Sequence, residues 1–176
     1  MSIYSDRDIA TKHNVDFVVS PFDSKRITPL GYDLSAEHAL LITFGGEATI
    51  ASSKKFEMPP RSMAELIAKE YLWLSSRIVG ILHSRGSLSA RGLILNSTTV
   101  DPQWSGRMIF CIHNASPFSV DLDLTDPVIT LVLNPIHNEP RNPPATNPFR
   151  VIEDHYKGRL SDGIIDKFIS AATDLA

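Results

Sequence analysis

EYLWLSSRIVGILHSRGSLSARGLILNSTTVDPQWSGRMIFCIHN, residues 70–114, alternates short apolar runs with polar turns that contain glycine or proline. Each apolar run is too short for an ordinary helix and is rich in Ile, Leu or Val, which predicts buried strands. Runs of this kind lie at 15–20, 39–44, 77–82, 92–95, 107–113, 118–122 and 128–133. Short strands that recur about every ten residues predict a mainly β sandwich or barrel.

The run MAELIAKEYLWL at residues 63–74 has an ambiguous pattern. Its composition suits a helix, but the pattern alone leaves helix and strand open. The turn residues elsewhere are clearer, and Gly45-Gly46 predicts a hairpin after the strand at 39–44.

Both ends of the chain predict helices. Ser5 caps a short helix through Ile9, with acidic residues in its first turn, where the helix dipole favours them. The stretch NPIHNEPRNPPATNP at 134–148 predicts an extended linker stiffened by proline. Beyond it, Ser161 and Asp162 are placed to cap a C-terminal helix. One face of that helix carries Ile164, Ile165, Phe168, Ile169, Ala172 and Leu175.

Composition and charge exclude several classes of protein. The chain has 176 residues, a formal net charge of −3 and a single cysteine, Cys111. The low charge argues against long nucleic acid and anionic membranes as partners, and one cysteine excludes the multi-cysteine zinc sites of zinc deaminases. The polar start, MSIYSDRDIA, lacks the apolar stretch of a signal peptide, and no run is long enough to span a membrane. We therefore expect a cytoplasmic protein.

HSRGSLSARGL at residues 83–93 has the composition of a phosphate-binding loop. Glycine lets backbone amides approach a ligand, serine hydroxyls donate hydrogen bonds, and a guanidinium binds phosphate oxygens in pairs. The alternative is an ordinary polar hairpin with a solvated arginine, and composition alone favours that alternative.

NSTTVDPQWSG at residues 96–106 places Asp101 before a proline, at the mouth of a turn that ends in Gly106. A carboxylate here could orient a water molecule or accept a hydrogen bond from a sugar hydroxyl. The alternative is a structural Asp-Pro turn. A second carboxylate, Asp33, lies in a strand context that is more typical of a structural residue.

Taken in order, these motifs resemble the dCTP deaminase/dUTPase superfamily. Residues 70–114 are similar to its Glu-x-x-x-Leu-Pro, Arg-Ser-Ser-Leu-Ala-Arg-x-Gly-Leu and Ile-Asp-Pro-Gly-aromatic-x-Gly motifs. SDRDI at 5–9 resembles its N-terminal helix, and GYDL at 31–34 resembles its Val-Asp-Leu strand. Residues 126–135 resemble a late strand that ends at proline. The resemblance covers most of residues 5–136.

The resemblance implies a distorted jelly-roll β-barrel of the dUTPase type, assembled as a homotrimer with active sites between subunits. It also implies a strand, not a helix, at 63–74. We assign residues 1–136 to the barrel and 137–176 to a proline-rich linker, a basic tail and the C-terminal helix.

The implied ligand is a deoxynucleoside triphosphate with Mg²⁺ bound through its phosphates. By position, the substrate-binding residues would be Arg85, Gly86, Ser87, Arg91 and Thr99. The Arg-Ser-Ser loop would hold phosphate, and Asp101 would face the deoxyribose as the candidate catalytic residue. In dUTPases that aspartate orients the water that attacks the α-phosphate. Deaminating members instead use a strand glutamate as general base and acid, with no metal in the chemistry.

The tail of the superfamily closes over the triphosphate with a tyrosine and a lysine or glutamine. HYKGR at residues 155–159 resembles this tail, which makes Tyr156, Lys157 and Arg159 candidate binding residues. The alternative is a solvated basic tail.

Cys111 stands ten positions after Asp101, where deaminating members carry the glutamate. A thiol cannot shuttle protons between water and the base as a carboxylate does, which argues against deamination. Cys111 could serve as a nucleophile if a partner such as His113 activated it. A buried apolar cysteine is the alternative.

Gly86, Ala90 and Gln103 also depart from the motifs, and the hairpin between Gly92 and Asp101 is shorter than in bacterial deaminases. The resemblance and these departures favour a deoxypyrimidine nucleotide-binding protein that hydrolyses dUTP- or dCTP-type triphosphates to monophosphate and pyrophosphate. The alternatives are a catalytically inactive nucleotide-sensing or sequestering module, a trimeric base for the C-terminal helix and, less favoured, a dCTP deaminase.

Overall fold

The computed structural model describes residues 2–51, 53–96, 98–142 and 149–173. The strands in these ranges are β1 (Phe17–Ser20), β2 (Ile27–Thr28), β3 (Gly31–Leu34), β4 (Ala36–Ile42), β5 (Ala48–Ile50), β6 (Lys55–Met58), β7 (Met63–Leu74), β8 (Ile78–Ser84), β9 (Leu93–Leu95), β10 (Thr99–Val100), β11 (Ser105–Asn114), β12 (Val120–Asp123) and β13 (Ile129–Pro135). The helices are α1 (Asp6–Lys12), α2 (Gly86–Ser89), α3 (Phe149–Tyr156) and α4 (Asp162–Thr173), and a 3₁₀ turn covers Ser24–Arg26. The mainly β class predicted from the sequence is confirmed.

Two antiparallel sheets face each other across the main core. Sheet A has the strand order β5-β4-β7-β11-β9, with β1 also paired to β7, and sheet B has the order β10-β8-β13-β3-β2. The segment from β9 to β10 passes from one sheet to the other, since β9 pairs with β11 and β10 pairs with β8. That crossing places Asn96, which lies between β9 and β10, beside β11.

Strand β7 decides the ambiguous run at 63–74. It is hydrogen-bonded on one edge to β11 and on the other to β4 and β1. Alternate side chains, including Leu66, Leu72 and Leu74, are fully buried in the core. Helix propensities differ by at most about 0.7 kcal/mol per residue, so pairing on both edges and burial of alternate residues outweigh them.

The main core lies between the two sheets and is closed at one end by α1. Its largest fully buried side chains include Phe17, Tyr32, Leu34, Leu66 and Leu72. The predicted N-terminal helix is present, with a capping box in which Ser5 and Asp8 satisfy each other's backbone N–H groups. Ile9 of this helix is fully buried, which fixes α1 against the barrel.

The C-terminal helices cover the outer face of sheet A. A second apolar cluster joins two strand residues to four helix residues, namely Leu40, Ile67, Ile152, Tyr156, Ile165 and Phe168. The predicted C-terminal helix is present as α4, and the Ile164 N–H donates to the Ser161 carbonyl at 3.0 Å at its start. Helix α3 was not predicted, because its residues were interpreted as the end of a linker and a tail.

Part of the predicted C-terminal region cannot be compared with the structure. Residues 143–148 of the predicted linker, Leu175 and the side chain of Ala172 lie outside the described residues. The predicted division of the chain at residue 136 stays a prediction. Helices α3 and α4 pack on the barrel, and this contact does not show whether residues 1–136 fold independently. None of the described helices has the length and apolar character needed to cross a membrane.

Candidate functional site

A groove of about 420 Å³ runs along β11, between helix α3 and the residues Asn96, Thr98 and Thr99. We call it the β11 groove. It is lined by Glu65, Asn96, Thr98, Thr99, Trp104, Met108, Ile109, Phe110, Cys111 and Ile152. Asn96 is held at the edge of the groove by its N–H, which donates to the Cys111 carbonyl at 3.1 Å. The groove therefore combines apolar walls with hydroxyl, amide, thiol and carboxyl groups.

Glu65 of β7 lies directly opposite Cys111 of β11 in the antiparallel register. Both side chains point to the outer face of sheet A, away from the main core. The Tyr156 hydroxyl of α3 donates to Glu65 Oε1 at 2.9 Å. Burial raises the pKa of the Glu65 carboxyl, while the bond from Tyr156 and the nearby His155 and His113 act to lower it.

Cys111 is half-buried in this groove, and its environment disfavours the thiolate. Burial, and to a smaller extent the neighbouring Glu65 carboxylate, raise the pKa of the thiol to about 12. A thiol with such a pKa is protonated near neutral pH and is a poor nucleophile. The geometry favours the buried apolar cysteine over the activated nucleophile.

Asp101 opens a turn in which the Trp104 N–H donates to the Asp101 carbonyl at 3.1 Å. Gln103 adopts a left-handed conformation, with φ at 66°, at the position where the resemblance places a glycine. The Trp104 indole N–H donates to the Gly106 carbonyl at 3.2 Å, which turns its ring toward the groove. The Asp101 side chain is exposed and is not part of the groove lining.

Arg85 forms an ion pair with Asp33 of β3, with 2.5 Å between Nη1 and Oδ2. Thr130 of β13 donates to the other oxygen of Asp33 at 2.6 Å. Gly86 and Ser87 are exposed and begin the single helical turn α2. The predicted phosphate loop is therefore anchored to sheet B by its arginine.

The remaining predicted binding residues lie apart from one another. Arg91 donates to the Asp121 carbonyl. Lys157 and Arg159 are exposed in the turn after α3, whereas Tyr156 is 6% exposed beneath that helix. Tyr156 is thus packed on Glu65 and does not belong to a solvated tail.

Within one protomer the structure brings together only some of the predicted site residues. Thr99 and Cys111 line the β11 groove, and Tyr156 reaches its edge through Glu65. The residues described as lining the groove do not include Arg85, Gly86, Ser87, Arg91, Asp101, Lys157 or Arg159. The residues predicted to bind phosphate are therefore separate from the residues that line the groove.

Glu65 is the functional candidate that the sequence did not reveal. Alternation in β7 places it on the same face as Ile67 once the run is known to be a strand. Its position opposite Cys111 depends on the register between two strands distant in the chain. The strand that the resemblance implied at 63–74 is confirmed and identifies the face on which Glu65 lies, but it does not identify the residue opposite Glu65.

Known proteins match this chain in sequence. A profile described as dCTP deaminase-like matches residues 3–135. The dCTP deaminase of Pyrococcus horikoshii is 27% identical over 132 residues, which cover 75% of this chain and 84% of that protein. The dCTP deaminase of Thermococcus kodakarensis is 28% identical over 142 residues, covering 77% and 83% respectively.

Solved structures share the fold at low identity. The 2'-deoxycytidine 5'-triphosphate deaminase of Agrobacterium tumefaciens superposes with a TM-score of 0.63 at 10% identity, over 90% of this chain and 53% of that one. This chain thus spans about half the length of that deaminase. A dUTPase from phage phi11 of S. aureus superposes with a TM-score of 0.52 at 14% identity, over 75% and 98%. The predicted dUTPase-like barrel is confirmed, and the chain belongs to the dCTP deaminase-like family within the dCTP deaminase/dUTPase superfamily.

Proposed function

We propose that this protein binds a deoxypyrimidine nucleoside triphosphate, with the base and sugar in the β11 groove. The observation that carries the proposal is the lining of that groove. Trp104 and Ile109 provide apolar surface for a flat ring, while Asn96, Thr98 and Thr99 provide hydrogen-bonding groups for its edge or the sugar. The volume of about 420 Å³ lies within the range typical of small-ligand sites.

The phosphates would be held by the Arg85 loop of a second copy in a homotrimer. The separation of the predicted phosphate-binding residues from the groove lining supports this arrangement, since neither group of residues forms a complete site alone. An apolar surface adjoins the groove at Thr99 and is lined also by Val79, Ile81, Pro135 and Ile136. Such a surface is typical of a subunit interface, and it would bring a neighbouring copy to the open side of the groove.

Hydrolysis to monophosphate and pyrophosphate is the reaction that the sequence favours. Asp101 would orient the water that attacks the α-phosphorus, and pyrophosphate would leave as the bridging P–O bond breaks. Among the described residues, no group of three or more His, Cys, Asp or Glu side chains could hold a metal ion. A Mg²⁺ ion would therefore be held by phosphates and water, an arrangement that Mg²⁺ commonly adopts and that these residues fit.

Binding and turnover should be measured separately on the purified protein. Thermal unfolding with dCTP, dUTP, dTTP and purine dNTP controls, each with Mg²⁺, should show a rise in midpoint for the deoxypyrimidine ligands alone. Chromatography of the products should show monophosphate and pyrophosphate, and Asp101→Asn should abolish both. A flat thermal response to every nucleotide would refute the binding proposal, and turnover unaffected by Asp101→Asn would refute the role of Asp101.

A nucleotide-sensing role without catalysis is the second candidate, and the position of Asp101 favours it. The Asp101 side chain is exposed and lies outside the lining of the β11 groove, so within one copy it is not placed to orient a water molecule against a nucleotide bound there. Binding without any product, for every deoxypyrimidine nucleotide tested, is the result expected of a sensor.

A further inference from the structure

We propose that a small basic pocket at the junction of the two sheets binds a free inorganic oxyanion of the phosphate class. We call it the Arg26 pocket, and its polar lining residues are Arg26, Ser35, Glu37, Lys54, Lys69 and Thr125. None of these is among the residues described as lining the β11 groove. The inference therefore goes beyond the proposed nucleotide binding and does not depend on it.

The Arg26 pocket lies where the chain passes from sheet B to sheet A. Ser35 connects β3 to β4, and its carbonyl accepts a hydrogen bond from the N–H of Lys69 on β7 at 3.1 Å. The Ala36 N–H donates to the Leu124 carbonyl at 3.0 Å, and the Leu124 N–H donates to the Lys54 carbonyl at 2.7 Å. These backbone bonds join the segments that carry the two lysines at one pocket.

Three cationic side chains line this pocket, together with one carboxylate. The side chains of Lys54 and Lys69 are exposed and form no ion pair with any residue that the structure describes. The carboxylate, Glu37, is already paired with Arg107, with 2.6 Å between Oε2 and Nη1. Like charges held near one another repel, so an anion bound among them would stabilise the folded chain.

Arg26 contributes a buried donor that lacks an acceptor. Its Nη2 donates to the Thr125 carbonyl at 3.1 Å, whereas the buried Nη1 has no hydrogen-bond partner among the described residues. Glu70 Oε1 lies 3.9 Å from Nη1, beyond hydrogen-bond distance. Both Glu70 carboxylate oxygens instead accept hydrogen bonds from Ser35, at 2.8 Å from its hydroxyl and 3.0 Å from its N–H.

An unsatisfied buried donor destabilises a fold, so its presence in this pocket requires an explanation. An oxyanion in the pocket would supply the missing acceptor after a small outward shift of the Arg26 guanidinium. The guanidinium is placed for such a shift, because the Arg26 side chain is 20% exposed and lines the pocket.

The size and the donors of the pocket define the class of ligand. Its volume of about 160 Å³ is well below the ~300 Å³ at which small-molecule sites commonly begin, so it suits an inorganic ion better than a nucleoside. Arginine binds phosphate oxygens in pairs, and lysine binds them as a point charge. Phosphate and sulfate share this chemistry with the phosphoryl groups of a nucleotide, and the experiment separates the free ion from the nucleotide.

Substitution of the two lysines tests the pocket without disturbing the core. The double variant Lys54→Gln/Lys69→Gln removes two positive charges from exposed side chains. Arg26 is left unchanged, because its removal would leave the buried Glu70 carboxylate without its neighbouring cation. Phosphate binding should therefore fall while the fold is kept, which circular dichroism checks.

The matched control is Lys12→Gln/Lys167→Gln, which removes two exposed positive charges from α1 and α4, away from the Arg26 pocket. Calorimetry measures phosphate binding to the full chain. Thermal unfolding in phosphate is compared with unfolding in sodium chloride of equal ionic strength, which accounts for screening.

In the wild type and the control variant, we expect the unfolding midpoint to rise saturably with phosphate or sulfate, above the rise in chloride. In Lys54→Gln/Lys69→Gln, phosphate binding should weaken by about tenfold or more. The response to dCTP with Mg²⁺ should be the same in the wild type and in this variant, because the pocket takes the free ion.

A phosphate response no larger than the chloride response would overturn the site, and so would equal phosphate binding by the wild type and Lys54→Gln/Lys69→Gln. Loss of the dCTP response in that variant would show that the pocket holds nucleotide phosphates, and would overturn the assignment to a free ion. A wild type that responds to phosphate but to no nucleotide would refute the proposed function alone and support the Arg26 pocket.

Discussion

Arg85 Nη1 donates to Asp33 Oδ2 at 2.5 Å, and Thr130 Oγ1 donates to the second carboxylate oxygen at 2.6 Å. Asp33 is 7% exposed, so the two donors satisfy a carboxylate that has been withdrawn from water. The three residues come from β3, β13 and the loop after β8, and these strands are adjacent in sheet B. Arg85, which was predicted to bind phosphate, is therefore held in place by Asp33, which was predicted to be structural.

Replacing Asp33 with alanine should lower the free energy of unfolding by about 1–3 kcal/mol, because Arg85 and Thr130 lose their shared acceptor. This loss of stability is smaller than is usual for a fully buried ion pair, because the Arg85 side chain is 28% exposed and water weakens its attraction to Asp33. Urea unfolding at neutral pH measures it.

The control is Glu139→Ala, which removes the exposed Arg77–Glu139 pair, and it should change stability by less than about 1 kcal/mol. Equal losses in the two variants would contradict the role assigned to the Asp33 carboxylate.

Gly92→Ala should destabilise the protein by about 2–5 kcal/mol. Gly92 has a φ of +82°, and an added Cβ would lie 2.6 Å from the Ser116 Cβ. The left-handed backbone costs about 1–2 kcal/mol for a residue with a side chain, and overpacking adds about 1–3 kcal/mol. Thermal or urea unfolding measures the loss.

Gly86→Ala is the matched control, because no atom lies within 4 Å of a Cβ added there. Its stability should match or slightly exceed that of the wild type. Comparable destabilisation of the two variants would show that the close approach at Ser116 is not the cause.

The ionisation of Glu65 should make stability depend on pH. Burial raises the pKa of the folded carboxyl above its value in the unfolded chain, so the folded state binds the proton more tightly. The free energy of unfolding should then fall as the pH rises from the unfolded pKa through the folded pKa. His113, His155 and Tyr156 face the same carboxyl and act to lower its pKa, which narrows that window.

Glu65→Gln should lack this fall, so the stability difference between wild type and variant should grow in favour of the variant as the pH rises. Urea unfolding across the range from acidic to neutral pH measures the difference. A difference independent of pH would show that the folded and unfolded pKa values of Glu65 are equal.

Cys111 should react slowly with thiol reagents in the folded protein. Its pKa is raised from 9.0 to about 12, which lowers the thiolate fraction near neutral pH by about a thousandfold. The single cysteine makes alkylation by iodoacetamide a clean assay, with the urea-unfolded chain as the reference. Alkylation of the folded protein at the unfolded rate would restore the hypothesis of an activated nucleophile.

Phe168→Ala should detach α4 from sheet A. Phe168 is fully buried in the second apolar cluster, and loss of such a side chain costs about 3–5 kcal/mol. If residues 1–136 form an independent barrel, hydrogen exchange should accelerate in α4 while β7 and β11 stay protected. Accelerated exchange in all three elements would show that the barrel and α4 unfold together.

Much of the fold could be predicted from the sequence because local features, such as helix caps, turns and apolar runs, determine where its helices and strands lie. The capping residue Ser5, the Gly45-Gly46 turn and the spaced apolar runs each act through neighbours in the chain. Residues 63–74 needed more, since their helix-forming composition and their strand structure disagree. Hydrogen bonding to β4 and β1 on one edge and to β11 on the other makes these residues a strand, and the local sequence pattern does not indicate those pairings.

By itself, the sequence determined the mainly β class, the family resemblance and the replacement of the expected glutamate by Cys111. Only the tertiary structure decided that Arg85 pairs with Asp33, that Tyr156 packs under α3, and that Glu65 faces Cys111. Composition and turns act over a few residues, whereas strand register and helix docking join residues far apart in the chain, 91 positions in the Tyr156–Glu65 bond and 97 in the Thr130–Asp33 bond. Such pairings depend on the packing of the whole barrel, and the chemistry proposed for the β11 groove depends on them.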